Sequence, residues 1–333
     1  MERIERLVAG GARRWGRLPV RPRSVNPLDE YSGIFRSMRG WRLKEWVGFT
    51  LVHPELHASM IIQDAAYLAS SEIYTAEAGV LTQHARNAAG GSLRPPEVLL
   101  DGGQVAVRKP GYVLSYDFTP DVITIEIDIA QAKGAAPIRG ALRLDPAAAS
   151  APLSVSSHLP PPRSDAKLYT HKALFPASGT LTVGDRTYTF APDRDLAVID
   201  EHKSFFPYRT RWLWGTFAML TADGPVGANL CSRAELPGEP EECCLWTPGA
   251  AEPLADVSFG PLPDGSWAIS STDGRAEVTF TPRGRKVVKH QLGLASIDYF
   301  QLYGTYRGVL RGQRRTYDIT DVPGVCESMK TRF

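Results

Sequence analysis

Asp200, Glu201 and His202 place three titratable side chains on consecutive residues. A carboxylic acid in apolar surroundings stays protonated near neutral pH and can give its proton to an alkene, a carbonyl or an ether oxygen. A histidine beside it can accept or relay a proton near pH 7. Side chains alternate along a strand, so Asp200 and His202 share one face and Glu201 takes the other. The triplet opens the stretch Ile199 to Phe217, which holds five charged residues, one histidine and six aromatics in nineteen positions. Solvated loops are rarely so aromatic and cores rarely so charged, so this stretch lines a pocket or an interface. Further along it, Tyr208, Thr210, Trp212 and Trp214 fall on one face, and Arg209, Arg211 and Leu213 on the other. The aromatic face suits a pocket wall, with Tyr208 as an assisting hydroxyl. The arginines suit bidentate binding of a carboxylate. The structural alternative puts the tryptophans in a core and an arginine at a barrel end.

Four more polar residues are candidates. Asp64 follows the apolar run Met60–Ile62, where it is either a second acid or the partner of an arginine. Asn229, Gln301 and Tyr303 can direct polar groups into a second barrel, for a substrate or simply as satisfied core groups. The seven histidines show no H-x-H or H-E-x-x-H spacing, and Pro54 interrupts the interval between His53 and His57, so no metal site is expected. There is no G-x-S-x-G elbow, no G-x-G-x-x-G and no Walker-type loop, so neither a nucleophilic serine nor a nucleotide cofactor has support, and no cofactor is assigned.

The elements that must carry these residues read as strands. Val122–Ile129 alternates with period two, its isoleucines 123, 125, 127 and 129 on one face. Lys44, Trp46, Gly48 and Thr50 alternate with Glu45, Val47, Phe49 and Leu51, and short strands recur about every 8–12 residues with turn signals between them. No long capped amphipathic helix stands out. The expected fold is therefore all-β with at most ~15% helix, against the usual ~30–35%: two lipocalin-like β-barrel or sandwich domains packed together. The divisions expected are a basic N-terminal arm over 1–29, a first domain over 30–158, a Pro-rich linker over 159–165 and a second domain over 166–333.

Composition narrows the function. The 333 residues are 43% hydrophobic and 22% charged, with a net charge of +2, which disfavours a dedicated nucleic-acid binder. Arg13, Arg14, Arg17, Arg21 and Arg23 cluster near the N-terminus, where a solvated arm or weak membrane-surface contact is expected. No apolar run approaches the roughly 20 residues that span a bilayer, and no secretory h-region opens the chain. The four cysteines lack zinc or disulfide spacing, so a cytoplasmic protein with reduced thiols is expected.

Several motifs occur in a fixed order: Lys44-Glu45-Trp46; Phe175-Pro176-Ala177-Ser178-Gly179; Asp200 followed by Pro207-Tyr208-Arg209-Thr210-Arg211-Trp212-Leu213-Trp214; Gly227-Ala228-Asn229-Leu230; Gln301-Leu302-Tyr303-Gly304-Thr305-Tyr306; and Glu327. On these the chain resembles the bacterial domain-of-unknown-function family twenty-eight-oh-four, from about residue 25 to the end. That family is distantly similar to tandem lipocalin-like proteins such as carotenoid 1,2-hydratases and small-molecule cyclases. The resemblance implies two barrel-like domains and a pocket for an apolar ligand. Those hydratases carry Asp-His-Glu-Trp or Asp-Arg-Glu-Trp where this chain has Asp200-Glu201-His202-Lys203, so the likeness carries a role to Asp200 alone.

The reading these residues favour is an acid–base enzyme of lyase or isomerase/cyclase type acting on a small, largely apolar molecule. Asp200 is its acid, His202 and Tyr208 assist, and Trp212 and Trp214 shape the pocket. A non-catalytic lipid- or pigment-binding protein and a glycan-processing hydrolase are the alternatives. An Asp200 facing an apolar cavity favours catalysis; one locked in an ion pair with Arg209 or Arg211 favours binding or structure.

Overall fold

The computed structural model describes residues 3–77, 79–161, 164–293 and 295–332. Its regular elements are strands apart from a 3-10 turn, Pro27–Glu30, and one helix, Gly33–Gly40. The strands form two curled antiparallel sheets packed together, with a two-stranded ribbon near the N-terminus. The all-β, two-domain lipocalin-like class holds.

The first sheet has 13 strands. At one end lie Val80–Ala89, Leu68–Glu77, His57–Asp64 and Lys44–Val52; Leu196–Ser204 and Lys167–Val183 follow, and the sheet continues through Ile138–Leu144, Ile123–Ile129, Tyr112–Phe118 and Gln104–Lys109. Its core is built by alternation. Ile123, Ile125, Ile127 and Ile129 are buried with Val47, Phe49, Leu51 and Ile199 from across the sheet. The second sheet has nine strands, with Arg209–Thr221, Thr316–Arg332 and Ala295–Arg311 at its centre. Tyr74 and Ala76 of the first sheet pack with Trp214 and Phe217 of the second, and Val52 and Val198 belong to one cluster with Ala218 and Trp246.

The chain changes sheet between Ser204 and Arg209. The segment expected as a linker, 159–165, instead joins Leu153–His158 to Lys167–Val183, two paired strands of the same sheet; residues 162 and 163 of it lie outside the described residues. Prolines mark a local break in pairing, whereas sheet membership is set by partners far along the chain: Lys167–Val183 pairs with Leu196–Ser204 from Thr170↔His202 to Pro176↔Leu196.

The N-terminal segment is part of the fold rather than a solvated arm. Gly16–Leu18 adds a short strand beside Leu153–His158. Arg21 Nε and Nη2 donate to the two Glu201 oxygens at 2.6 and 2.7 Å, and both side chains are buried. Burial opposes the charge on Glu201, but Arg21 outweighs it and holds the carboxyl below its ordinary value. Arg13 pairs with Glu30 at 3.0 Å, Arg17 bonds the carbonyls of Glu241 and Cys243, and Arg23 pairs with Asp101. Four of the five arginines that suggested a solvated arm thus find partners within the molecule, while Arg14 is exposed.

Removing one member of a buried pair strands the other charge. Arg21→Ala is expected to cost roughly 3–5 kcal/mol of stability, while Arg14→Ala, at an exposed position, stays within about 0.5 kcal/mol. Denaturant titrations of the two variants measure this, and an Arg21→Ala protein as stable as the parent would contradict an integrated N-terminal segment.

Candidate active site

A cavity of about 210 Å³ lies between the sheets. Lys44, Trp46, Gly48 and Thr50 line it from one strand, the face opposite the core residues Val47, Phe49 and Leu51. Asp200 sits beside them, paired in register with Gly48. A Cβ at position 48 would come within 2.7 Å of the Met60 carbonyl oxygen, so only glycine fits, and the floor beside Asp200 stays flat. Trp212, Trp214, Tyr299, Gln301, Glu327 and Met329 face it from the second sheet.

Behind this cavity is a smaller one of about 40 Å³, shared by Asp200, Trp46, Trp212, Trp214 and Glu327. A charged network closes it. Lys172 Nζ donates to Asp200 Oδ1 and lies 3.1 Å from Glu242 Oε1, and Arg233 donates to Glu242 Oε2 at 2.6 Å. Burial pulls the Lys172 ammonium toward neutrality, but Asp200 and Glu242 outweigh it and raise its pKa. Burial likewise opposes the charge on Glu242, and Lys172, His202 and Arg233 hold that carboxyl well below its ordinary value. His202 Nε2 lies 3.0 Å from Thr170 Oγ1, 3.2 Å from Glu242 Oε1 and 3.4 Å from Asp200 Oδ1, and its ring stacks on Trp46. The other Asp200 oxygen accepts the Trp46 indole N–H at 3.2 Å. Asp200 is therefore an ion-paired carboxylate, with Lys172 rather than Arg209 or Arg211 as its partner.

Glu327 is the opposite case. Its carboxyl makes no ion pair among the described residues. It accepts from three neutral donors: Trp212 Nε1 at 3.0 Å on Oε1, and the Tyr299 hydroxyl at 2.8 Å and Gln301 Nε2 at 2.9 Å on Oε2. Burial pushes its pKa up, the three bonds pull it back in part, and the nearby charge of Asp200 pushes it up again; the net direction is upward. Gln301 is fixed in turn by the Tyr74 hydroxyl, which donates to its Oε1, and His57 Nε2 lies 2.9 Å from that hydroxyl. Burial, aided by Lys286, lowers the His57 pKa to about 3 and keeps the ring neutral.

The structure sorts the residues expected from sequence. Asp200 and His202 share a face as alternation requires, Glu201 points away to Arg21, and Trp212 and Trp214 line the cavity. Gln301 lines it too, whereas Asn229 lies deeper, accepting from Trp214 Nε1 at 2.8 Å and donating to the Glu242 carbonyl at 2.5 Å. Asp64 is at the rim, but its oxygens accept the backbone N–H groups of Ala66, Gly91 and Leu93 at 2.8–3.0 Å, so it clamps two loops instead of serving as an acid. Tyr303 stacks on His57 outside the cavity. Tyr208, Arg209 and Arg211 are exposed and line neither cavity, because the chain only enters the second sheet at Arg209 and its first residues overhang the rim. Sequence reasoning passed over Lys172, Arg233, Glu242, Tyr74, Tyr299 and the role of Glu327, although Glu327 closed the set of motifs.

Two curled antiparallel sheets around one shared, acid-bearing cavity define a tandem lipocalin-like protein. Its family follows from the sequence: the chain belongs to the family described as Domain of unknown function (DUF2804), whose model matches residues 15–333. Among solved structures it is similar to CghA in complex with Sch210972, at 13% identity and a TM-score of 0.49, covering 87% of this chain and 88% of that chain. It is also similar to kievitone hydratase from Nectria haematococca, at 9% identity and a TM-score of 0.45, covering 86% of this chain and 88% of that one. No curated protein matches the chain.

Glu327 makes stability depend on pH in a defined sense. Its carboxyl binds a proton more tightly in the folded chain than in the unfolded one, where its value is 4.5. Its contribution to stability is complete below 4.5 and is lost as pH rises through the higher folded value, above which a buried carboxylate destabilises the fold. Glutamine has no proton to lose. The melting temperature of Glu327→Gln relative to the parent should therefore climb as pH rises from 4 toward 8, and a pH-independent difference would show that Glu327 titrates normally.

Proposed function

We propose that the protein is an acid–base enzyme of lyase or isomerase/cyclase type, acting on a small, largely apolar molecule in the cavity between the sheets, with Glu327 rather than Asp200 as the proton donor. The observation that supports this is the contrast between two carboxyls on one cavity, one paired with an ammonium and one held by neutral donors alone. Opposed environments of this kind separate an acid from a base. Glu327 gives its proton to an alkene carbon or an oxygen of the substrate and becomes a carboxylate. Positive charge then develops on the substrate beside the π faces of Trp46, Trp212 and Trp214, which favour it by cation–π attraction. Asp200 accepts a proton from the adjacent carbon or from an attacking water, and exchange with solvent resets both groups. Trp212, Tyr299 and Gln301 hold the Glu327 carboxyl in place, and His202 and Lys172 hold Asp200.

The test starts from small molecules that co-purify with Glu327→Gln, identified by mass spectrometry. Offered to the parent protein in D₂O, the ligand should be converted and gain deuterium. In Glu327→Gln turnover should fall by roughly 10²–10⁴-fold with the ligand still bound. Met329→Ala removes wall and no polar group, so it should weaken binding more than it slows the bound substrate. A ligand held equally by parent and variant, with neither conversion nor deuterium uptake, would overturn catalysis and leave a binding protein.

A further inference from the structure

The helix Gly33–Gly40 is inside out. Ile34, Phe35, Met38 and, just past its end, Trp41 are 71%, 66%, 60% and 68% exposed. Positions 34, 38 and 41 follow helical i, i+4, i+7 spacing with 35 beside them, so they form one apolar face. The charged side chains point the other way. Arg36 donates to the Leu28 carbonyl at 2.8 Å and to Asp29 at 2.9 Å, Arg39 pairs with Asp165, and Gly40 is buried. Folding normally hides the apolar face of a helix, whereas here it ties down the polar face and presents the apolar one. Single exposed apolar residues are ordinary; four large ones on one face mark a contact surface.

Its surroundings indicate what that contact is. From Tyr31 to Lys44 the chain carries Arg36, Arg39, Arg42 and Lys44 and no acidic residue. Arg42 donates to the Phe206 carbonyl at 3.3 Å and forms no ion pair among the described residues. The patch also adjoins the cavity. Lys44 Nζ donates to the Trp41 carbonyl at 3.3 Å and lies 4.9 Å over the Tyr67 ring, and Lys44 and Tyr67 both line the cavity, Tyr67 being 41% exposed. An eight-residue helix is only about 12 Å long and one helix wide. That is too little for the roughly 800 Å² per partner of a stable protein interface, whereas a lipid surface needs no matching shape. Aromatic and aliphatic side chains with a cation at their edge, here Arg42, are the composition of helices that lie in a bilayer interface.

We propose that the face formed by Ile34, Phe35, Met38 and Trp41 docks on an anionic lipid surface, next to the cavity mouth. The docking stands on the helix alone; that it serves entry of an apolar substrate from the lipid rests on the function proposed above.

Flotation of the full chain with phosphatidylcholine vesicles, with and without phosphatidylglycerol, tests the docking. The parent should float with the anionic vesicles, and less so at high salt. Phe35→Asp/Trp41→Asp should lose flotation by about tenfold or more with its melting temperature unchanged, because both residues are exposed. Arg42→Glu should lose part of it, and Glu327→Gln should float like the parent, so that failure of docking and failure of chemistry are read separately. A parent that does not float, or a double variant that floats equally well, would overturn the proposal. So would light scattering that finds a dimer for the parent and a monomer for the double variant, which would assign the face to a second copy.

Discussion

Lys172 is the residue on which the site depends. A buried ammonium is tolerated only with carboxylates around it, and Lys172 takes one from each side: Asp200 from its own sheet and Glu242 from the connection between two strands of the other. Glu242 must then be neutralised in turn, which Arg233 does from the second sheet and His202 approaches from the first. The network bolts the sheets together, because parting them would strand buried charges on both sides. It also fixes the chemistry. The cation behind the cavity is committed to Asp200 and Glu242, so Glu327 faces the same space with indole, phenol and amide donors in place of a cation.

The chain reaches this arrangement by crossing from one sheet to the other within the stretch that looked anomalous in sequence. Leu196–Ser204 delivers Asp200 and His202 on the first sheet, and Arg209–Thr221 delivers Trp212 and Trp214 on the second. Between them, Phe205 and Phe206 are buried, Phe206 stacking between Trp46 and Trp212. The stretch is charged because Asp200 joins the ion-paired network behind the cavity while Glu201 and Lys203 are buried in pairs with Arg21 and Glu45, and aromatic because it passes through the seam. One anomaly of composition thus had two structural causes.

Local pattern was readable wherever one strand decided the outcome. The isoleucines of Ile123–Ile129 are buried, and the parity of Asp200 and His202 against Glu201 follows from a period of two. What depended on long-range pairing was not readable. Lys172 sits in an ordinary strand sequence, and only its register opposite Asp200 makes it a site residue. Arg21 and Glu201 are 180 positions apart, and composition cannot tell a paired arginine from a solvated one. The parity of Arg209 and Arg211 was right, but parity says nothing about where a strand joins its sheet, and these two lie past the cavity's edge.

The polar chain behind Glu327 follows from donor and acceptor rules. Trp212 can only donate, so Glu327 Oε1 is an acceptor. With the Tyr74 hydroxyl donating to Gln301 Oε1, the Gln301 amide nitrogen is left to donate to Glu327 Oε2. His57, kept neutral by burial, must then give its Nε2 proton to the Tyr74 oxygen. Every member of the chain donates toward the carboxyl, and the Tyr299 hydroxyl alone can also reverse and accept. A proton on Glu327 therefore has two places to point: at Tyr299, or into the cavity. Under the function proposed above, a substrate oxygen or alkene in the cavity would compete only with that one phenol for the proton, which would leave the proton free for transfer.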